Sequence, residues 1–262
     1  MILRWLCLVL ITLTTACCSL PSVKTEQIGQ RQVDYALSEH NTTPVIFENG
    51  LGGDLGWWVN VYPEIAKDYT AFVYNRPSYG NSDPASTPRD GKHIVDELRS
   101  VLQSKGLKPP YVLVGHSLGG LYMQHFARRY PDEVKALVLV DSTHPAQFQG
   151  KGAWTNWPTW FRFGFKLLMS KEEKQEFNEI NATGDTLMRL PTLAGKPVIV
   201  LSALKEMDNN DYEVAKDANE KRKDIARLYP GAKQVWVDSG HAMPIEKPDA
   251  VIKAIREVLS EK

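Results

Sequence analysis

The stretch Val112–Gln124, "VLVGHSLGGLYMQ", sets one serine among three glycines between an apolar run and a helical pattern. Two readings of Ser117 compete. Gly115, Gly119 and Gly120 could mark an ordinary turn in which the serine caps a helix. Alternatively, the glycines let backbones crowd a serine lifted on a strained strand-to-helix turn, where its hydroxyl is free to act as a nucleophile. The flanks decide between them. "YVLVG" is a continuous apolar strand pattern, and Ser117 to Arg129 reads as a helix with Leu121, Phe126 and Ala127 as packing positions. Gly-x-Ser-x-Gly in that context favours the nucleophile.

Outward from this point the chain alternates strand and helix signals. "PVIFE" (44–48), "YTAFVYN" (69–75), "ALVLVD" (136–141), "PVIVLS" (197–202) and "KQVWVD" (233–238) read as strands. "QVDYALSEH" (32–40) alternates and suits an early edge strand. "WWVNVYPEIAK" (57–67) reads as one helix, "DGKHIVDELRSVLQSKGL" (90–107) as another with Ile94, Leu98, Val101 and Leu102 on one face, and "KPDAVIKAIREVLSEK" (247–262) as the last. Strands apolar on both faces, alternating with helices, imply a mostly parallel sheet covered on both sides. Between Ser142 and Gly195 no apolar strand appears. Trp154, Trp157, Trp160, Phe161, Phe163 and Phe165 crowd that stretch, which reads as an inserted helical cap at about 143–195. Two roles compete for these aromatics, lining an apolar acyl or aryl pocket or packing the cap onto the core, and packing accounts for most of them; Pro158 and Gly164 suggest two short helices or a mobile lid, and a lipase reading would add contact of the aromatics with membrane.

The chain has 262 residues, 43% hydrophobic and 24% charged, with 31 basic residues against 31 acidic. That balance offers nothing to nucleic acid or another polyanion. No HExxH or paired CxxC is present, so no metal is expected. At the N-terminus, Arg4 precedes an apolar run from Trp5 to Ala16 that is too short to span a bilayer. It reads as an export signal over residues 1–17, followed by a polar linker over 18–30 and one domain over 31–262. All three cysteines, Cys7, Cys17 and Cys18, fall in or beside the signal. "LTTAC" (13–17) resembles a lipoprotein lipobox, with Thr14 where leucine is usual; the resemblance implies lipid on Cys17 and a place in the cell envelope. Cleavage of a plain secretory signal before Cys17 is the alternative.

With these motifs in order, the chain resembles the α/β-hydrolase family over nearly all of its length after the signal. "FENGLGG" (47–53) is similar to the family's first glycine-rich loop, with Asn49 where histidine is usual. "NRPSYGNSD" (75–83) is similar to its D-R-P-G-x-G-x-S turn, departing at Asn75 and Ser78, and "DSGHAMPIEKPDAV" (238–251) is similar to its histidine loop. The resemblance implies an α/β fold with a doubly covered, mostly parallel sheet. It also implies a serine hydrolase, needing no cofactor, that cleaves small to medium apolar esters through an acyl-enzyme.

A serine needs a base within reach. His241 follows the last strand and would share the strand C-terminal edge with Ser117. His116 is sent elsewhere by the elbow and packs beside the site. His40, His93, His125 and His144 have no comparable placement, His144 being nearest a strand end. For the acid, Asp141 at the end of "ALVLVD" competes with Asp208 in "SALKEMDNND" (202–211), where Glu206 and Asp211 are further carboxylates. Asp208 occupies the family's commoner place but lacks its short turn, which favours Asp141. The family's two oxyanion donors would be the backbone N–H groups of Leu51 and Leu118. Hydrolysis of another acyl bond, or an exported binding protein on a hydrolase scaffold, are the alternatives.

Overall fold

A computed structural model describes residues 20–205 and 213–261. The signal, with Cys17, therefore lies outside the described residues, as do Glu206, Asp208 and Asp211. Eight strands form one sheet: β1 (Lys24–Ile28), β2 (Arg31–Ser38), β3 (Val45–Glu48), β4 (Ala71–Tyr74), β5 (Tyr111–His116), β6 (Val134–Val140), β7 (Val198–Ala203) and β8 (Lys233–Val237). Their order is β1-β2-β4-β3-β5-β6-β7-β8. β2 pairs antiparallel with both β1 and β4, and every pairing from β4 to β8 is parallel.

Among the described helices, α1 (Tyr62–Ala66), α2 (Gly91–Ser104) and α3 (Leu118–Arg129) precede β6. α4 (Thr159–Leu168), α5 (Lys171–Asn178) and α6 (Ile180–Arg189) lie between β6 and β7. α7 (Glu213–Asp224), α8 (Met243–Glu246) and α9 (Pro248–Ser260) follow. No described helix is long and apolar enough to cross a membrane.

The period-2 geometry of a strand explains why the central strands read as unbroken apolar runs. In β5, Leu113 joins the layer of Leu98 on α2 and Leu121 and Phe126 on α3. Its neighbours Val112 and Val114 join the opposite layer with Ile65 of α1 and Ile255 and Val258 of α9. Both faces are covered, so each of these side chains contributes roughly 1.5–3 kcal/mol by leaving water.

Two expectations are corrected. The linker expected over 18–30 contains a strand: Lys24–Ile28 pairs with Arg31–Ser38 through a two-residue turn in which Gly29 takes φ 62°. β1, not β2, is the sheet edge. Only Ile28 of β1 is buried, so its own residues carry little apolar signal; the neighbouring strand supplies the order. The helix expected over 57–67 is two pieces. A 3-10 turn over Leu55–Trp58 is capped by Asp54, whose side chain accepts from Gly56 N at 2.8 Å. α1 starts afresh with Pro63 in its first turn, where a missing N–H costs nothing.

Candidate active site

Strand β5 ends at His116, and Ser117 turns the chain into α3 with φ 53° and ψ −123°. That backbone is strained for a residue with a side chain and persists only where packing over-determines it. A Cβ on Gly115 would lie 2.6 Å from the carbonyl oxygen of Gly119, and one on Gly119 would lie 2.5 Å from that of Glu48. Strand, helix and the loop after β3 thus touch backbone to backbone, which is why the elbow needs glycine.

Because β6 lies parallel beside β5 and pairs Val140 with His116, Asp141 emerges at the same sheet edge as Ser117. Asp141 sits at φ 40° and donates its N–H to Leu201 O of β7 at 2.8 Å. Its Oδ1 accepts from Ala203 N at 3.1 Å, and Arg222 of α7 lies against both oxygens, with Nε 2.9 Å from Oδ1 and Nη2 3.3 Å from Oδ2. His241 comes from the turn after β8, where Gly240 N donates to Glu246 Oε2 at 2.7 Å. The imidazole bridges the other two groups: Nδ1 is 2.6 Å from Asp141 Oδ2 and Nε2 is 2.9 Å from Ser117 Oγ.

Burial alone would push the Asp141 carboxyl up. The His241 bond and charge, the Arg222 guanidinium and the Ala203 amide outweigh it and hold the group at about 2. It is therefore an ionised acceptor for Nδ1–H, which leaves the Nε2 lone pair facing the serine hydroxyl. The His116 ring lies against that of His241, centroids 4.9 Å apart. It is buried, stacked on Trp57 at 4.9 Å, and its Nε2–H donates to the His241 carbonyl at 2.8 Å. Burial, aided by repulsion from His241, pushes His116 down to about 3, so it stays neutral and holds the histidine loop as a donor.

The Leu51 and Leu118 amides belong to the two segments that flank the serine. Leu118 opens α3, and the first N–H groups of a helix have no partner within it. A Cβ on Gly50 would lie 3.1 Å from Ser117 Cβ, so the loop carrying Leu51 lies against the serine. That loop is held from behind by Arg76, which donates to Asn49 O at 2.6 Å and Gly50 O at 2.8 Å. The same guanidinium pairs with Glu48 at 2.6 Å and with Glu176 of α5 at 2.8 Å, all three being fully or almost fully buried. Burial opposes the charge on Arg76, but Glu176 and Glu48 outweigh it and raise the group well above its ordinary value. The sequence singled out neither Glu176 nor Arg222, and it saw Arg76 only as part of a motif. Glu176 lies 100 residues from its partner, and only the fold joins them.

The remaining histidines lie elsewhere. His40 bonds Ala66 O at 3.0 Å, His93 bonds Asp90 at 2.6 Å, and His125 is buried on α3 against the start of α2. His144 accepts from Ala146 N at 3.0 Å and faces Asp224 at 3.4 Å. No group of three or more potential metal ligands occurs among the described residues.

A family model described as alpha/beta hydrolase fold matches residues 43–165. A hydrolase from Pseudomonas aeruginosa PA01 superposes over 93% of this chain and 100% of its own, with 19% identity and a TM-score of 0.67. The enol-lactonase of Burkholderia xenovorans LB400 covers 91% and 100%, with 16% identity and a TM-score of 0.63. The chain has the α/β-hydrolase fold. Among curated proteins, this chain is 29% identical over 127 residues to the human (lyso)-N-acylphosphatidylethanolamine lipase, 44% of this chain and 37% of that one. It is 33% identical over 88 residues to the uncharacterized protein YbdG of Bacillus subtilis, 34% of this chain and 27% of that protein. The matches thus span well under half the length of these relatives.

Proposed function

We propose that the protein is a serine hydrolase that cleaves carboxylic esters of small to medium apolar substrates. The observation carrying this is the unbroken hydrogen-bonded line from Asp141 through His241 to Ser117, at 2.6 and 2.9 Å. In the reaction, Ser117 Oγ attacks the ester carbonyl carbon as His241 Nε2 takes its proton. Asp141 stabilises the resulting imidazolium, and the Leu51 and Leu118 amides receive the negative oxygen. Collapse breaks the ester C–O bond, with the proton on Nε2 passing to the leaving alkoxide. Water, deprotonated by the same nitrogen, then attacks the acyl-enzyme and releases the acid. The apolar preference is drawn from the aromatic cluster of the β6–β7 segment, where Trp154 lies 4.7 Å from Phe177 and Phe161 stacks 5.7 Å from Phe165.

A fluorophosphonate probe should label the protein and fail to label Ser117→Ala. Hydrolysis of acyl esters of graded chain length then gives the substrate range. No labelling of the wild type, or equal labelling of the variant, would refute the proposal. We further propose export with lipid on Cys17, so that the domain works at the cell envelope. Fatty-acid labelling lost in Cys17→Ala supports this, and an unlabelled wild type refutes it.

A further inference from the structure

The packed aromatic cluster has an outer side. On α4, Phe161 and Phe165 turn inward, and Trp154 meets Phe165 at 5.5 Å. The rest of the helix does not. Trp160 is 58% exposed, Phe163 71%, Leu167 71% and Leu168 65%. These are four of the nine large apolar side chains exposed among the described residues, and they sit within nine consecutive positions. At 100° per residue Trp160, Phe163 and Leu167 share one face, with Leu168 beside it. Scattered exposed apolar residues need no explanation, but a face of aromatics on one short helix does.

The charges on the helix say what covers that face. Thr159–Leu168 contains Arg162 and Lys166 and no acidic residue; Lys166 is exposed and borders the Phe163 edge of the stripe, and half-buried Arg162 lies one step further round the helix. A second copy docking two-fold through this face would bring the same cations together across the seam. An anionic bilayer accepts both features, with apolar rings entering below the headgroups and Arg and Lys meeting the phosphates. The face is also placed to matter. α4 runs through Met169 and Ser170 into α5, whose Glu176 is ion-paired to the arginine behind the Leu51 loop.

We propose that α4 docks the protein on an anionic lipid surface, through Phe163, Leu167 and Leu168 with Arg162 and Lys166, and so presents lipid-borne esters to Ser117. The docking stands on the surface alone; the presentation rests on the hydrolase reading above.

The test uses the full chain and a signal local to α4: the tryptophan fluorescence lost on changing Trp160→Phe. Brominated phosphatidylglycerol in phosphatidylcholine vesicles should quench that component, and brominated phosphatidylcholine alone should quench it much less. Phe163→Asp with Leu167→Asp should weaken partitioning about tenfold or more, since two side chains can no longer leave water. Hydrolysis of a soluble short-chain ester should stay within about twofold in that variant, showing a folded site, while hydrolysis of the same acyl group in vesicles falls with binding. Absence of quenching in anionic vesicles overturns the proposal, as does equal quenching in neutral ones. So does a sedimenting dimer that the double variant dissociates. Quenching without cleavage of either ester leaves docking standing and overturns the hydrolase reading instead.

Discussion

Asp141→Asn is the sharpest test of the site. Position 141 has φ 40°, a region that asparagine tolerates nearly as well as aspartate. The replacement therefore keeps the turn after β6 and the volume of the side chain. What changes is the hydrogen-bond logic at 2.6 Å. Arg222 has donors only, directed at both carboxylate oxygens, so the substituted amide will give it the oxygen and turn the NH2 group toward His241. Nδ1 must then accept, and the ring's only proton moves to Nε2, facing Ser117 Oγ at 2.9 Å. A protonated Nε2 cannot take the serine proton. Loss of the correct tautomer in a comparable triad costs about 10⁴ in kcat, which is about 5.5 kcal/mol at about 1.36 kcal/mol per decade. The assay is kcat/KM on a soluble short-chain ester, with Asp208→Asn measured beside it and circular dichroism as a control for folding. Asp208→Asn should stay within a few-fold of wild type. A folded Asp141→Asn enzyme retaining a tenth or more of wild-type activity, with Asp208→Asn collapsed, would show that the acid has been placed on the wrong residue.

Gly119→Ala puts a methyl group 2.5 Å from Glu48 O, so backbone must yield; stopped-flow ester hydrolysis should slow by about 10²–10³ as the Leu51 donor is displaced, and an unchanged rate would refute the crowding argument. Glu176→Leu leaves the buried Arg76 with Glu48 as its one carboxylate partner and should lower unfolding stability by about 3 kcal/mol in urea titrations; an unshifted midpoint would mean that the pair is not closed in solution. Burial pushes His116 down to about 3 and His125 to about 4, so both stay neutral when folded yet take up protons on unfolding below about 6.5. Stability should therefore fall as pH drops from about 6.5 toward 4, by about 1.4 kcal/mol per pH unit for each group once its unfolded form is fully charged. His125→Gln should flatten that slope, and a steeper one would contradict the sign.

What could be read along the chain depended on how locally each feature is enforced. The elbow was legible because its demand for glycine arises within a few residues: Gly115 meets the carbonyl of Gly119 directly. His241 could be placed because parallel strands deliver their C-terminal ends to one edge. The choice between Asp141 and Asp208 was harder. The contacts that support Asp141, its N–H on Leu201 and its carboxylate on Ala203 and Arg222, are long-range and leave no periodic trace in the sequence. β1 was illegible for the converse reason: an exposed edge strand with only Ile28 buried takes its order from β2. Least legible was the Arg76 hub. Buried ions look like surface residues in a sequence, and a buried pair is costly unless every donor finds an acceptor. Here Arg76 spreads its donors over Glu48, Glu176, Asn49 O and Gly50 O. Two of those acceptors are the carbonyls just before Leu51, and a third belongs to α5, so one guanidinium holds the Leu51 loop and anchors the segment that follows α4. Any change that moves α5 must therefore either break a buried ion pair or carry the Leu51 amide with it.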